Sequence, residues 1–186
     1  MIELKNICLY TRHTILNDVN YVFSDQKIYG IVAINGSGKT TLFRTMVNLR
    51  KAQGGKVLFD HQSVELKRSE VFYFETAEWL DRNLNGYDYL SFVKKLWNSS
   101  VDLDSLGMKQ RLIIAMYLTS DAKYMIMDEI TNGLDEDFRN QFFKVIIDLK
   151  RQGKTILLSS HYKDEITEYC DVVLQIKNNQ LSEVSL

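Results

Sequence analysis

The chain is expected to be an α/β protein built on a mostly parallel sheet, and three observations lead there. In the second half, short apolar runs alternate with segments of helical spacing: Lys123–Met127, Glu136–Arg151, Thr155–Ser159, Asp164–Tyr169 and Val172–Ile176. Strands that alternate with helices argue for parallel pairing with the helices packed on the sheet. In the first half, the apolar run Ile28–Val32 meets a glycine-rich loop and then a helical pattern beginning at Leu42. The composition is that of an ordinary globular domain, 45% hydrophobic and 25% charged over 186 residues.

Each element has its own signal. Ile2–Ile7 and Asn20–Ser24 alternate apolar and polar with period two and read as strands. The opening therefore looks like antiparallel strands set beside the parallel sheet. Residues 41–50 read as a helix, Gly54-Gly55 punctuates, and Lys56–Asp60 and Val71–Phe74 read as strands. From about Glu78 to Trp97 the apolar period lengthens to that of a helix; residues 98–102 break it, and Gly107 to about Thr119 forms a second helix. The boundaries expected are a single domain over 1–186, with a core of about 1–76 and 121–186 and a helical subdomain of about 77–120.

Composition excludes several classes. A net charge of -1 gives no support for nucleic-acid binding, which favours a basic patch. Cys8 and Cys170 show no metal spacing and read as buried thiols of a cytosolic protein. Charges interrupt the N-terminus at once, so it is not a signal peptide. The longest apolar run, Leu112–Leu118, falls far short of the roughly 20 residues that span a bilayer. Membrane association would therefore come through a partner. The chain has no proline, a compositional bias that also touches its motifs.

The loop is Ala33-Ile34-Asn35-Gly36-Ser37-Gly38-Lys39-Thr40-Thr41. Strand, glycine-rich loop and helix in that order make a phosphate-binding loop. Its amides converge on phosphate oxygens at a helix N-terminus, where the dipole favours negative charge. Lys39 would reach the β- and γ-phosphates, and the Thr40 hydroxyl would ligate Mg²⁺. The usual pattern, G-x-x-x-x-G-K-[ST], begins with glycine, and this chain has Ala33 there.

A second group of residues follows the strand Tyr124–Met127. Asp128 and Glu129 stand at its end, where a P-loop sheet brings them beside the loop. Asp128 would hold Mg²⁺ through its water shell, and Glu129 would act as the base that orients the attacking water. Paired acids after an apolar strand are also common surface features; the continuation Ile130-Thr-Asn-Gly-Leu-Asp135 makes the pattern far more specific.

With those residues in view, the chain resembles the nucleotide-binding subunits of ATP-binding-cassette (ABC) transporters, of the bacterial, exporter-like ABC-2 type. Residues 128–135 are similar to the family's Walker B and D-loop, usually D-E-P-T-x-G-L-D. Ser105-Leu-Gly107-Met-Lys-Gln-Arg111 looks like the signature that precedes a helix, and His161 stands as the switch histidine does after the last core strand. Tyr10 occupies the place of an adenine-stacking aromatic. The resemblance covers essentially the whole chain with its motifs in order.

It implies ATP and Mg²⁺ as ligands. Residues 33–41, Tyr10, Ser105, Gly107 and Asp135 would bind nucleotide; Glu129, His161 and Lys39 would catalyse hydrolysis; Thr40, Asp128 and Thr76 would attend the metal. It also implies a second ATPase subunit, identical or different, whose signature faces the first subunit's γ-phosphate, and a membrane permease that holds the pair at the inner face of the membrane. The family's Q-loop glutamine has no counterpart between Gln62 and Gln110, so Glu75 or Thr76 must stand in. The helical segment is short for the family. Plainer readings stay open: Ser105 as an N-cap, Tyr10 as a sheet-surface tyrosine. Two other functions also fit the motifs: a nucleotide sensor with little hydrolysis, and a soluble ABC protein acting on ribosomes or DNA.

Overall fold

The computed structural model describes residues 1–32, 36–75, 80–81, 83–97, 109–132, 134–160 and 163–184. Two sheets form. β1 (Ile2–Tyr10), β2 (Thr14–Phe23) and β4 (Gly54–Phe59) make an antiparallel sheet in the order β2-β1-β4. The second sheet runs β5-β6-β7-β3-β8-β9, from β3 (Ile28–Val32), β5 (Val71–Phe74), β6 (Tyr124–Met127), β7 (Thr155–Ser159), β8 (Val172–Lys177) and β9 (Gln180–Glu183). All its pairings are parallel except that of β8 with β9. The fold is the α/β P-loop architecture that the sequence predicts.

The central strands β3, β6 and β7 are largely apolar because both faces of the sheet are covered there. Along β6, Tyr124 and Ile126 enter one core while Met125 and Met127 enter the other; Leu157 of β7 divides in the same way from Ile156 and Leu158. The first core joins the antiparallel sheet to α1 (Lys39–Met46) through Leu42, Phe43 and Met46. The second carries α2 (Gly86–Trp97), α3 (Lys109–Ser120), α4 (Glu136–Arg151) and α5 (Lys163–Tyr169). Gly30 of β3 faces this side, and a Cβ there would lie 2.4 Å from Ile166 Cγ2 and 2.8 Å from Cys170 Sγ. Only a bare backbone lets α5 lie that close.

The fully buried Tyr117 ties α3 to the site end of the sheet. Its hydroxyl accepts from the Phe74 amide at 3.0 Å and donates to the Ile126 carbonyl. The hydroxyl thereby satisfies backbone groups on two neighbouring strands, immediately before the segment that carries Asp128.

Four boundaries differ from the sequence reading, each for a local reason. β1 and β2 continue through register shifts, with Asn6 and Asp18 at φ 52° and 53°. Bulges of this kind break the period-two alternation and hide the continuing strand. The helix expected at 41–50 stops at Met46, and Asn48 takes a left-handed φ of 57° just beyond it. The helix expected from Glu78 begins only at Gly86. Asn85 Oδ1 accepts the Asp88 amide at 3.0 Å, and Asp88 Oδ2 accepts the Asn85 amide at 2.9 Å. This reciprocal cap stops the helix there, while Leu80 still packs on the core. Finally, β9 has no counterpart in the sequence reading; Asn178 and Asn179, at φ 50° and 62°, form the two-residue turn that pairs it with β8.

Among the described residues no helix is long and apolar enough to cross a membrane. Both cysteines are free, but only Cys170 is buried; Cys8 is half-exposed on the antiparallel sheet, against the expectation of two buried thiols. Burial pushes the Cys170 thiol up to about 12. Iodoacetamide at pH 8 is therefore expected to alkylate Cys8 in the native protein and Cys170 only after denaturation, as read by mass spectrometry of tryptic peptides.

Candidate nucleotide site

The site lies where β3 gives way to α1, at the carboxyl ends of the parallel strands, the usual place for ligands in such sheets. A cleft of about 340 Å³ is lined by Thr11, Ile15, residues 36–41 and Glu129. α1 has no side-chain cap. Its N-cap is Gly38, at φ 102°, and the Gly38 carbonyl accepts the Leu42 amide at 2.8 Å. The first-turn amides of an uncapped helix are left for a ligand. Ser37 Oγ is buried with no hydrogen-bond partner among the described residues, a cost that an oxygen-rich ligand in the cleft would relieve.

Gly38 is held by sterics as well as by φ. A Cβ there would sit 2.3 Å from Ile15 Cγ2, in a backbone region that L side chains avoid. Gly38→Ala is expected to shift the start of α1 and weaken ATP binding about tenfold or more, measured by isothermal titration calorimetry. About 1–2 kcal/mol of strain corresponds to that factor.

Lys39 is buried at the start of α1, and the Thr40 hydroxyl donates to Asp128 Oδ2 at 2.5 Å. Asp128 is itself buried, and its Oδ1 accepts the Ser159 hydroxyl. Burial raises its pKa; the bonds from Ser159 and Thr40 oppose this, and the charges of Glu129 and Glu75 add to the rise. A buried carboxylate beside two other acids gains from a nearby cation. Thr40 and Asp128 together supply a hydroxyl and a carboxylate, the sparse oxygen set that suits Mg²⁺ bound chiefly through phosphates and water. Among the described residues no group of three or more His, Cys, Asp or Glu gathers into a metal cage.

Glu129 follows β6 with φ 51°, a left-handed conformation that costs a glutamate about 1 kcal/mol or more. Its surroundings hold it there. The Glu129 amide donates to Ser159 Oγ at 3.0 Å, and Asn132 Nδ2 donates to Glu129 Oε2 at 2.9 Å. Ser159, the last residue of β7, thus positions both acids through one hydroxyl. Sequence reasoning passes over Ser159 and Asn132. The available signal is a hydroxyl closing the apolar run Ile156–Leu158, since a buried polar group needs a partner.

The structure therefore brings residues 36–41, Asp128 and Glu129 together. Two other candidates stand apart from the cleft lining. Tyr10 is 52% exposed at the end of β1, with its neighbour Thr11 on the cleft instead. Asp135 caps α4, accepting the Phe138 amide at 2.8 Å. Glu75 is held by Arg44 and Tyr73. Ala33, Ile34, Asn35, Thr76, Ser105, Gly107 and His161 lie outside the described residues.

Comparison with known proteins agrees with this geometry. The family model described as ABC transporter matches residues 16–132. The lantibiotic transport ATP-binding protein SrtF of Streptococcus pyogenes is 30% identical, over 93% of this chain and 85% of its own length. The uncharacterized ABC transporter ATP-binding protein YybJ of Bacillus subtilis is 29% identical, over 97% of this chain and 94% of its own. Among solved structures, the ATP-binding subunit of an ABC transporter superposes with a TM-score of 0.87 at 21% identity, covering 100% of this chain and 90% of that one. A dimeric bacterial ABC transporter cassette, MJ0796, gives 0.84 at 17%, covering 100% of both. These last two speak for the fold alone. With the family model spanning loop, sheet and paired acids, the chain belongs to the ABC transporter family, as an ATP-binding subunit and an ATPase.

Proposed function

We propose that this subunit drives an exporter: it hydrolyses ATP as one of a pair of ATPase subunits on a separate membrane permease. The observation that carries the hydrolytic part is that Lys39, Thr40 and Glu129 line one cleft while the Thr40 hydroxyl bonds the buried Asp128. Lys39 and the amides of residues 36–41 hold the phosphates, and Glu129, oriented by Asn132, takes a proton from the attacking water. Thr40 and Asp128 would hold Mg²⁺, which would supply positive charge against that of the phosphates. Thr76, Tyr10, His161 and Asp135 keep the roles that the family resemblance implies. Ser105 and Gly107 act on the partner subunit's nucleotide, and the helical segment of about 77–120 meets the permease, which places the assembly at the inner face of the membrane.

The export direction rests on the family resemblance; the cargo class, a peptide, is suggested by SrtF, which is named for lantibiotic transport. The test is to find a multi-span membrane protein encoded beside this chain, co-express the two in a lantibiotic-sensitive strain, and measure survival and ATPase activity. Resistance that requires Lys39 supports the reading. Membrane-stimulated hydrolysis without resistance removes the cargo proposal, and absence of turnover even with the permease favours the sensor.

A further inference from the structure

Tyr10 ends β1, is half-exposed beside the cleft that its neighbour Thr11 lines, and belongs to neither core. Its hydroxyl donates to the Arg12 carbonyl at 3.4 Å, longer than an ordinary hydroxyl bond. Packing therefore does little to fix the ring, and the backbone is held instead. β4 pairs with β1 as far as Gly54, opposite Cys8, and the preceding residue, Gln53, donates its amide to the Cys8 carbonyl at 3.0 Å. Beyond that point two side chains take over the ladder. The Tyr10 amide donates to Gln53 Oε1 at 2.7 Å, and Arg50 Nη2 donates to the Tyr10 carbonyl at 2.8 Å. On the β2 side the strand end is closed by Thr11, whose amide donates to the His13 carbonyl at 2.9 Å. Both polar backbone groups of Tyr10 are thus met from the segment between α1 and β4. Arg50 Nε is buried with no hydrogen-bond partner among the described residues, so the guanidinium gives up water to make this reach.

Resting on the stacking role proposed above for Tyr10, we infer that Arg50 and Gln53 are positioning residues: a clamp that holds Tyr10 ready for the nucleotide base. A base stacks on one face of a ring, and the net gain is largest when the ring is already held in the bound orientation, because less freedom is lost on binding. An exposed aromatic with little packing needs such a hold from its backbone. The clamp also has a fixed relation to the phosphate end. The Arg50 amide donates to the Arg44 carbonyl of α1 at 3.1 Å, which ties the clamp segment to the helix that begins at Lys39. The start of α1 then serves the phosphates, and the segment just past its end serves the base.

The test compares ATP with inorganic tripolyphosphate, which carries no base. Both are measured by displacement of a fluorescent ATP analogue from the full-length chain and five variants: Tyr10→Ala, Arg50→Met, Gln53→Ala, Gln53→Glu and the Tyr10→Ala/Arg50→Met double variant. Tyr10→Ala is expected to weaken ATP about tenfold, the scale of one base–aromatic stack. Arg50→Met and Gln53→Ala should each weaken ATP about threefold and move tripolyphosphate less than about 1.5-fold. Gln53→Glu, which keeps the acceptor oxygen, should keep the wild-type ratio of the two affinities. The double variant should be no weaker than Tyr10→Ala alone, because the clamp acts through that ring. Equal losses of ATP and tripolyphosphate in Arg50→Met or Gln53→Ala would mark a charge or folding effect and overturn the inference. So would a double variant clearly weaker than Tyr10→Ala. If Tyr10→Ala weakens ATP while Arg50→Met and Gln53→Ala leave it unchanged, only the clamp fails. If Tyr10→Ala leaves ATP binding unchanged, the stacking role fails and the clamp falls with it.

Discussion

Lys39→Ala is expected to abolish ATP hydrolysis and to weaken ATP binding about 30-fold or more while leaving the fold intact. Lys39 is buried at the first position of α1, in the cleft lining, where the proposed function sets its ammonium against the phosphates. Truncating one partner of a buried, hydrogen-bonded charge pair costs about 2–5 kcal/mol, and the lower figure already corresponds to that factor. Alanine keeps the backbone amide and favours the helix, so thermal unfolding should change little. The measurements are phosphate release, nucleotide titration and a melting curve on one preparation. Wild-type turnover in the variant would remove this cleft from the reaction.

Glu129→Gln is expected to retain ATP while slowing hydrolysis by roughly 10²–10⁴-fold, the usual contribution of a positioned base. The amide is close in shape to the carboxylate, and its oxygen still accepts from Asn132, whose contact is 2.9 Å in the wild type. What it loses is the capacity to take a proton. The variant should therefore accumulate an ATP-bound dimer, visible as an earlier peak in size-exclusion chromatography with ATP and absent with ADP. Turnover near wild type would show that another group is the base. A variant that fails to bind ATP would mean that Glu129 serves the phosphates and not the water.

Both variants alter residues that are legible in the linear chain, whereas the residues that hold them in place are not. Glycine, lysine and threonine at fixed offsets announce the loop because the chemistry of a triphosphate demands them within a few consecutive positions. Asp128 and Glu129 announce themselves because an apolar strand ends on them. Ser159 and Asn132 bear on the same acids, yet Ser159 lies 30 residues beyond Glu129, and its role exists only because β7 pairs with β6. Thr76, Ser105 and His161 take their roles from the family resemblance alone.

Local periodicity and short-range spacing suffice for the class of fold, for the order of strand, loop and helix at the nucleotide end, and for naming the residues proposed to meet phosphate. Such signals act within a turn or a strand, so they survive in the order of residues. Long-range packing is needed to leave Tyr10 outside the cleft lining and to bind Glu75 to Arg44. It also sets Glu129 in a left-handed conformation. Those outcomes depend on which strand ends become neighbours across the sheet, and side-chain hydrogen bonds between distant segments leave no periodic trace in the chain.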